Sequence, residues 1–396
     1  MPSKLVIGLQ HGDEGKGRIV DDLCQNWAEV VVRFQGGGNA GHTVYDSEGK
    51  KYVTHILPVG ILTEGVTSYI AKGCVLNPID LAKEIKEFNV TPDMLKISGL
   101  TPIIEPVHLW LDKAKYQGKI GTTAKGIGPA YSSFYARDSI LFKDFVNNFK
   151  ESYVKIIENI EDFLNNNKEI KFDDDFYFDL LDDYTVKTRE LLDCIDTIKP
   201  FLTDNENFIQ ECYSENKNIL LEGAQGWGLN VMSSEYPNVT SSMPTVGGAI
   251  NSTGLSHKQI DEVIGVAKVY KTKVGKGNFN SLCDDESEKT LAKIGKEYGA
   301  TTGRRRKCGW LDMDEIKQAC LENGVDHIVI TKTDVFTHLK EQSIYLNGDV
   351  RPIMRINKPS LQDPSFISLL DFIKEEANAK TISFTTGPSR GEIIWG

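Results

Sequence analysis

Three times in this chain a short apolar run stops at a loop made mainly of glycine and polar residues. Residues 5–9 lead into Gly12-Asp13-Glu14-Gly15-Lys16-Gly17. Residues 30–34 lead into Gln35-Gly36-Gly37-Gly38-Asn39-Ala40-Gly41-His42-Thr43, and residues 218–222 into Gly223-Ala224-Gln225-Gly226. Apolar runs of this length with glycine punctuation read as strands buried on both faces. A helix-spaced stretch follows the first loop at residues 18–27. Strand, glycine loop and helix in succession specify an α/β sheet whose strand ends carry the functional loops. Further buried strands are read at 263–270, 327–331 and 381–384, and helices at 78–88, 105–117, 286–298, 312–323 and 366–377. The expectation is a single large α/β domain over residues 1–396. It has a mostly parallel central sheet of P-loop-NTPase-like character, with flanking helices. Residues 140–216 are acidic, Asn-rich and helical in pattern, which predicts a helical subdomain inserted in that fold.

Charge and cysteine usage narrow the partners. The formal net charge of −11 argues against whole-surface attraction to nucleic acid or to an anionic membrane. No apolar run reaches the ~18 residues that a spanning helix needs. The first seven residues lack a signal-peptide core. Seven scattered cysteines with no CxxC fit free thiols in a reducing compartment, not a disulfide framework or a zinc site. A cytoplasmic protein with neither nucleic-acid nor membrane partners is expected.

The loops carry the chemistry. In the first, backbone N–H groups and one lysine stand at the mouth of a helix, where partial positive charge suits phosphate. It departs from GxxxxGK[ST]. Gln10 stands where the first glycine would fall, and Gly17 follows Lys16. The Mg²⁺-binding hydroxyl of that motif is therefore missing, and Asp13 is the carboxylate available instead. In the second loop, His42 follows a glycine cradle that lets backbone approach a ligand closely. An imidazole there can protonate or polarise a phosphoryl oxygen. Residues 330–334 read ITKTD. A carboxylate at such a strand end accepts from N1–H and the 2-amino group of guanine, and the lysine stem packs on the base. Behind a phosphate loop, this motif points to GTP. Residues 299–311, GATTGRRRKCGWL, combine hydroxyls, glycine and three arginines able to grip an anionic substrate.

Taken in order, QHGDEGKGRIVD, QGGGNAGHTV, KIGTTAKGIGPAY, LLEGAQG, YPNVTSSMPTVGG, KTKVGKGNF, EYGATTGRRRKCGWLD, ITKTD and TTGPSR resemble the motifs of the adenylosuccinate synthetase family. The resemblance implies a C–N bond-forming ligase of purine biosynthesis. It joins L-aspartate to C6 of IMP through a 6-phosphoryl-IMP intermediate, with GTP as co-substrate and Mg²⁺ as cofactor, in a homodimer. By this resemblance Asp13 removes the N1 proton of IMP and, with the Gly41 carbonyl, binds Mg²⁺. His42 is the acid at the transferring phosphoryl group, and Lys16 and Gln225 complete the catalytic set. Asp13, Asn39, Thr123, Gln225, Thr240 and Arg304 would hold IMP, and Arg137 would reach the IMP phosphate of the other subunit. Aspartate falls to Ala300, Thr301, Thr302, Arg304 and Arg306. GTP falls to Gly12, Gly15, Lys16, Gly17, Gly41, His42, Thr43 and Arg306, with Lys332, Asp334, Thr386 and Gly387 expected to take its guanine.

The chain also departs from the family pattern. His11 stands in place of Trp, TKVGKGNFNSL replaces TRVGxGPFPTE, GLNVM at 228–232 replaces LLDID, and Met243 replaces Asn. Ala124-Lys125 replaces Gly-Arg, and the part after residue 334 is shorter than usual. Two other readings stay open beside the first. One is a sibling enzyme running the same chemistry on GMP or dGMP to give a 2-aminoadenylosuccinate. The other is an inactive GTP-binding module.

Overall fold

The computed structural model describes residues 2–116, 122–166, 186, 187, 189–275, 277–298, 303 and 305–396. In chain order its strands are β1 (Ser3–Gly8), β2 (Val30–Arg33), β3 (His42–Tyr45), β4 (Lys51–Thr54), β5 (Thr67–Ile70), β6 (Leu95–Ser98), β7 (Leu202–Thr203) and β8 (Ile219–Glu222). They continue with β9 (Glu262–Lys268), β10 (Tyr270–Lys273), β11 (Lys307–Asp312), β12 (His327–Thr331), β13 (Ser343–Leu346), β14 (Asp349–Pro352), β15 (Thr381–Thr385) and β16 (Ile393–Ile394). Ten of them form one sheet in the order β16-β15-β12-β9-β1-β8-β2-β5-β6-β7. Every pairing in it is parallel except β15 with β16. The mostly parallel α/β fold read from the sequence is therefore the fold observed.

The reason lies in the apolar runs. Leu5, Val6 and Ile7 on β1, and Ile219, Leu220 and Leu221 on β8, are wholly buried, so both faces of the sheet are covered. One face packs with helix Met313–Asn323 and helix Pro364–Glu376, the other with helix Lys16–Asn26. Because β1, β2, β8, β9 and β12 all run in one direction, their C-terminal ends, and the loops that follow them, lie along one edge.

Two elements differ from the expectation. The run at 263–270 is not one strand. It breaks after Lys268, and β10 leaves the central sheet to head a second sheet, β10-β11-β13-β14. The Gln10 side chain occupies the break: its Nε2 donates to the carbonyls of Lys268 (3.2 Å) and Tyr270 (3.1 Å), and its Oε1 accepts from Lys268 N–H (3.0 Å). A side-chain amide thus satisfies the backbone groups freed by the bend. The second difference is in the 140–216 stretch. Helices Phe142–Asn147, Phe149–Asn166 and Phe208–Ser214 are present, but β7 extends the central sheet beside β6. Phe142, Phe145, Ile156, Ile160 and Ile198 share a core with β5 and β6 residues, so this stretch is packed against the sheet. Asn167 and Asp173-Asp174-Asp175 lie outside the described residues. All seven cysteines are free thiols, as expected. No helix among the described residues is long and apolar enough to cross a membrane.

Candidate active site

The first loop turns at Asp13, whose backbone is left-handed (φ 62°), and enters its helix at Lys16. Glu14, wholly buried, organises it. Its Oε1 accepts from the amides of Gly12 (2.8 Å) and Gln10 (3.2 Å), and its Oε2 pairs with Lys16 Nζ at 2.5 Å. Thr331, the last residue of β12, ties this loop to the neighbouring strand by donating from Oγ1 to the Glu14 carbonyl at 2.6 Å. The Lys16 ammonium therefore has an internal counter-ion, a feature absent from the sequence reading. Asp13 points outward with its side chain 40% exposed, and its Oδ2 meets Arg306 Nη2 at 2.8 Å.

His42 opens β3 directly above this helix. A Cβ on Gly17 would come within 2.8 Å of the His42 Cβ, so the helix can approach only because that position is glycine. His42 Nδ1 lies 2.5 Å from Glu222 Oε1, and Glu222 Oε2 accepts from Val59 N–H at 2.9 Å. Arg33, fully buried, stands 3.9 Å from the same carboxylate. Burial pulls the imidazole below its usual range despite Glu222. Burial pushes the Glu222 carboxyl up, but His42 and Arg33 outweigh it, so the carboxyl sits below its usual range. The Glu222 carboxylate holds the ring through Nδ1, which leaves Nε2 as its other nitrogen. Glu222 is the final residue of an apolar strand, and that buried charge was the available signal for its role.

Gln225 is also left-handed (φ 56°), and its Oε1 lies 3.5 Å from Ser242 Oγ. Ser242 Oγ also donates to Gln35 Oε1 at 3.0 Å, and Thr240 Oγ1 is 3.5 Å from it, so the loops after β2 and β8 meet the Thr240 segment here. Asn39 Oδ1 accepts from Gly37 N–H at 3.2 Å. Thr123 is exposed beside left-handed Ala124, and Arg137 is an exposed, left-handed C-cap of helix Ile127–Ala136. Gly41 and Thr43 flank His42 and are half-buried. Ala300, Thr301, Thr302 and Arg304 lie outside the described residues.

The far side of the first helix receives the C-terminal loop. Arg18 Nη1 donates to the Gly387 carbonyl, and its Nη2 to the Ser389 carbonyl at 2.7 Å. Arg390 grips Asp21 with two bonds, of 2.8 and 2.6 Å. Thr386 accompanies Gly387 through Thr386 N–H donating to the Glu392 carbonyl (2.8 Å). Lys332 follows β12 in a left-handed turn and donates to the Gly295 carbonyl at 2.9 Å; burial lowers its ammonium below the usual range. Asp334 sits half-buried in the next turn, and Thr333 Oγ1 donates to the Thr385 carbonyl at 2.5 Å. The loops after β12 and β15 thus converge at the helix that follows the phosphate-type loop.

The departures from the family pattern also acquire partners. A Cβ on Gly228 would come within 2.7 Å of His11 Nε2, so the glycine leaves room for the imidazole that stands in place of Trp. Lys273 is buried against Glu235 at 2.6 Å, with the Asn278 carbonyl at 3.2 Å. Other altered positions meet unaltered ones: Lys125 Nζ stands 3.3 Å from Asp80, Gly228 N–H donates to the Gln10 carbonyl (2.8 Å), and the Leu229 carbonyl accepts from Thr240 N–H (2.9 Å).

A parallel sheet with a phosphate-type loop, a buried carboxylate–imidazole pair and a TKTD turn along one edge defines a nucleotide-using α/β enzyme. Comparison with known proteins fixes which. The adenylosuccinate synthetase family model matches residues 5–350. An adenylosuccinate synthetase of Chlorobium chlorochromatii is 41% identical over 86% of this chain and 79% of its own length. That of Caldicellulosiruptor bescii is 34% identical over 99% of this chain and 98% of its own. The fully ligated enzyme of Plasmodium falciparum superposes with a TM-score of 0.88 at 29% identity over the whole of both chains. The cyanophage S-2L succinoaminodeoxyadenylate synthetase, bound to dGMP and dATP, shares the fold at TM-score 0.68 and 19% identity, over 99% of this chain and 95% of its own. The chain belongs to the adenylosuccinate synthetase family, whose members ligate aspartate to IMP with GTP, forming a C–N bond.

Proposed function

We propose that this chain carries out the family reaction through Asp13, Lys16, His42 and Gln225, within a single domain spanning residues 1–396. Asp13 takes the N1 proton of IMP, which turns the 6-oxygen into an anion able to attack the γ-phosphoryl of GTP. GDP leaves, and the 6-phosphoryl group then departs as phosphate when the aspartate amine attacks C6. His42, held through Nδ1, presents Nε2 to the transferring group, and Lys16 offsets charge on the phosphates. Asn39, Thr123, Gln225, Thr240 and Arg304 hold IMP, and Ala300, Thr301, Thr302, Arg304 and Arg306 hold aspartate. Gly12, Gly15, Gly17, Gly41, Thr43 and Arg306 face the GTP phosphates, and Lys332, Asp334, Thr386 and Gly387 its guanine.

The donor set fits Mg²⁺. Asp13 is a part-exposed carboxylate beside a phosphate-type loop, and Gly41 offers a carbonyl. Few protein oxygens suffice for an ion held largely by phosphates and water. Mg²⁺ would supply charge neutralisation at the γ-phosphoryl group. The setting is a cytoplasmic homodimer in which Arg137 crosses to the partner's IMP.

The observation that carries this reading is the pairing of an outward Asp13 with a His42 anchored on Glu222. IMP is favoured over dGMP as acceptor. Relatives at 34–41% identity are adenylosuccinate synthetases, whereas the dGMP-bound structure shares only 19%. The test is turnover of IMP, GMP and dGMP with GTP, Mg²⁺ and aspartate by the parent chain and Asp13→Asn. IMP is expected to be the acceptor, and the variant to lose ~10²-fold or more in kcat, as when a positioned base is removed. Turnover of dGMP alone, or near-parental activity of the variant, refutes the reading.

A further inference from the structure

Residues 297 and 306 close the neck of the segment that carries the proposed aspartate loop. Arg306 N–H donates to the Glu297 carbonyl at 2.9 Å, and Tyr298 and Arg305 form a β-bridge just beyond. The side chains repeat the closure, with Arg306 Nη1 2.7 Å from Glu297 Oε2. Glu297 is itself 1% exposed and is held on its other side. Tyr270 OH donates to its Oε1 at 2.6 Å, and Lys268 Nζ, wholly buried, stands 3.4 Å away. Burial pushes the Glu297 carboxyl up, but Lys268, Arg306 and Lys332 prevail and bring it down to about 2. The adjoining turn, with Lys296 at φ 52°, presents the Gly295 carbonyl to Lys332. The far end of Arg306 reaches Asp13 through Nη2 at 2.8 Å, and its buried Nε has no hydrogen-bond partner among the described residues.

We propose that Glu297 is a positioning residue of the reaction. By fixing Nη1 it aims the rest of the Arg306 guanidinium at Asp13 and at an anionic substrate oxygen. A guanidinium has a rigid fork, so restraining one nitrogen orients the other two. No substrate atom need touch Glu297.

The inference rests on the assignment of Arg306 to the site, and the two are tested apart by a double-mutant cycle with Glu297→Gln and Arg306→Ala. E297Q is expected to lower kcat about tenfold or more and raise the KM for aspartate, with the KM for IMP within about threefold of the parent. The double variant is expected to be no slower than R306A, because Glu297 acts through Arg306. Multiplying effects in the cycle, a uniform rise of all KM values, or a parental rate in E297Q overturns the proposal. If E297Q does not accumulate in folded form, E297D keeps the charge but withdraws it from Arg306, and it is read by the same criteria. Parental activity of R306A would instead remove Arg306 from the site.

Discussion

At the scale of single residues, the site spends strain where it needs orientation. Outside asparagine, the described non-glycine residues with positive φ are Asp13, Ala124, Arg137, Gln225, Lys296 and Lys332. Four of these six are proposed ligand-contacting residues, and the other two adjoin Thr123 and Glu297. Backbone held in a sparsely populated region persists only where surrounding contacts over-determine it. A buried carboxyl beyond the site gives a pH prediction. Burial raises Glu105 to about 7, against the opposing bond from Asn159. His108, three residues on, accepts from Glu105 N–H at 3.0 Å, and burial lowers it to about 4. The folded state holds the Glu105 proton over a range where the unfolded chain, titrating near 4.3, has lost it. Stability from this group is therefore full below about pH 4.3 and lost as pH rises through about 7. A tenfold difference in proton affinity between the folded and unfolded states is worth about 1.36 kcal/mol. Glu105→Gln should therefore gain up to about 3 kcal/mol above that range, and little below it. The His108 imidazole acts in the opposite sense: its folded value is depressed, so stability is lost as pH falls from about 6.5 toward 4. Denaturant titrations across pH should show E105Q with a steeper acid decline than the parent. Parallel curves would contradict the assignment.

At the scale of elements, the strands and their loops were legible because both signals are local: an apolar run, then glycine. Asp13, Lys16, His42, Gln225, Lys332 and Asp334 all lie in the segments that follow β1, β2, β8 and β12, the parallel strands whose C-terminal ends share one edge. The partners that hold them were not legible. Glu222 meets His42 across 180 residues, and Gln10 bends the chain between β9 and β10 across 258. Pairings that distant are set by sheet order, which no local pattern encodes. The same lesson covers β7, whose two residues join the sheet from within a helical stretch. Two substitutions test elements. Gly17→Ala should crowd the His42 Cβ at 2.8 Å, destabilising the fold by about 1–3 kcal/mol and lowering kcat by moving the imidazole off Glu222. A variant with parental Tm and kcat would show that the helix start can yield. Arg390→Ala should free the 386–391 loop from Asp21 and raise the KM for GTP several-fold, leaving that for aspartate near the parental value. An unchanged GTP KM would uncouple that loop from the nucleotide.

For the whole molecule, the proposed dimer makes the sharpest demand. Arg137 caps the helix Ile127–Ala136 in an exposed, left-handed conformation, beside Tyr135 at 67% exposure. An exposed arginine with an aromatic neighbour is the kind of residue that becomes buried at an interface. In a two-fold dimer each patch meets its own copy, so a residue supplied in trans from one subunit is also received from the other. Asp13 and Arg137 of one chain would then serve different active sites. Asp13→Ala and Arg137→Ala chains should each be nearly inactive alone. Mixed under conditions that exchange subunits, they form hybrids with one site lacking both groups and one site lacking neither. Random pairing makes about half the dimers hybrid with half their sites intact, so about a quarter of parental activity should return. Were Arg137 to act within its own subunit, every site in the mixture would lack one group. Activity would then stay at the sum of the two variants however long they exchanged.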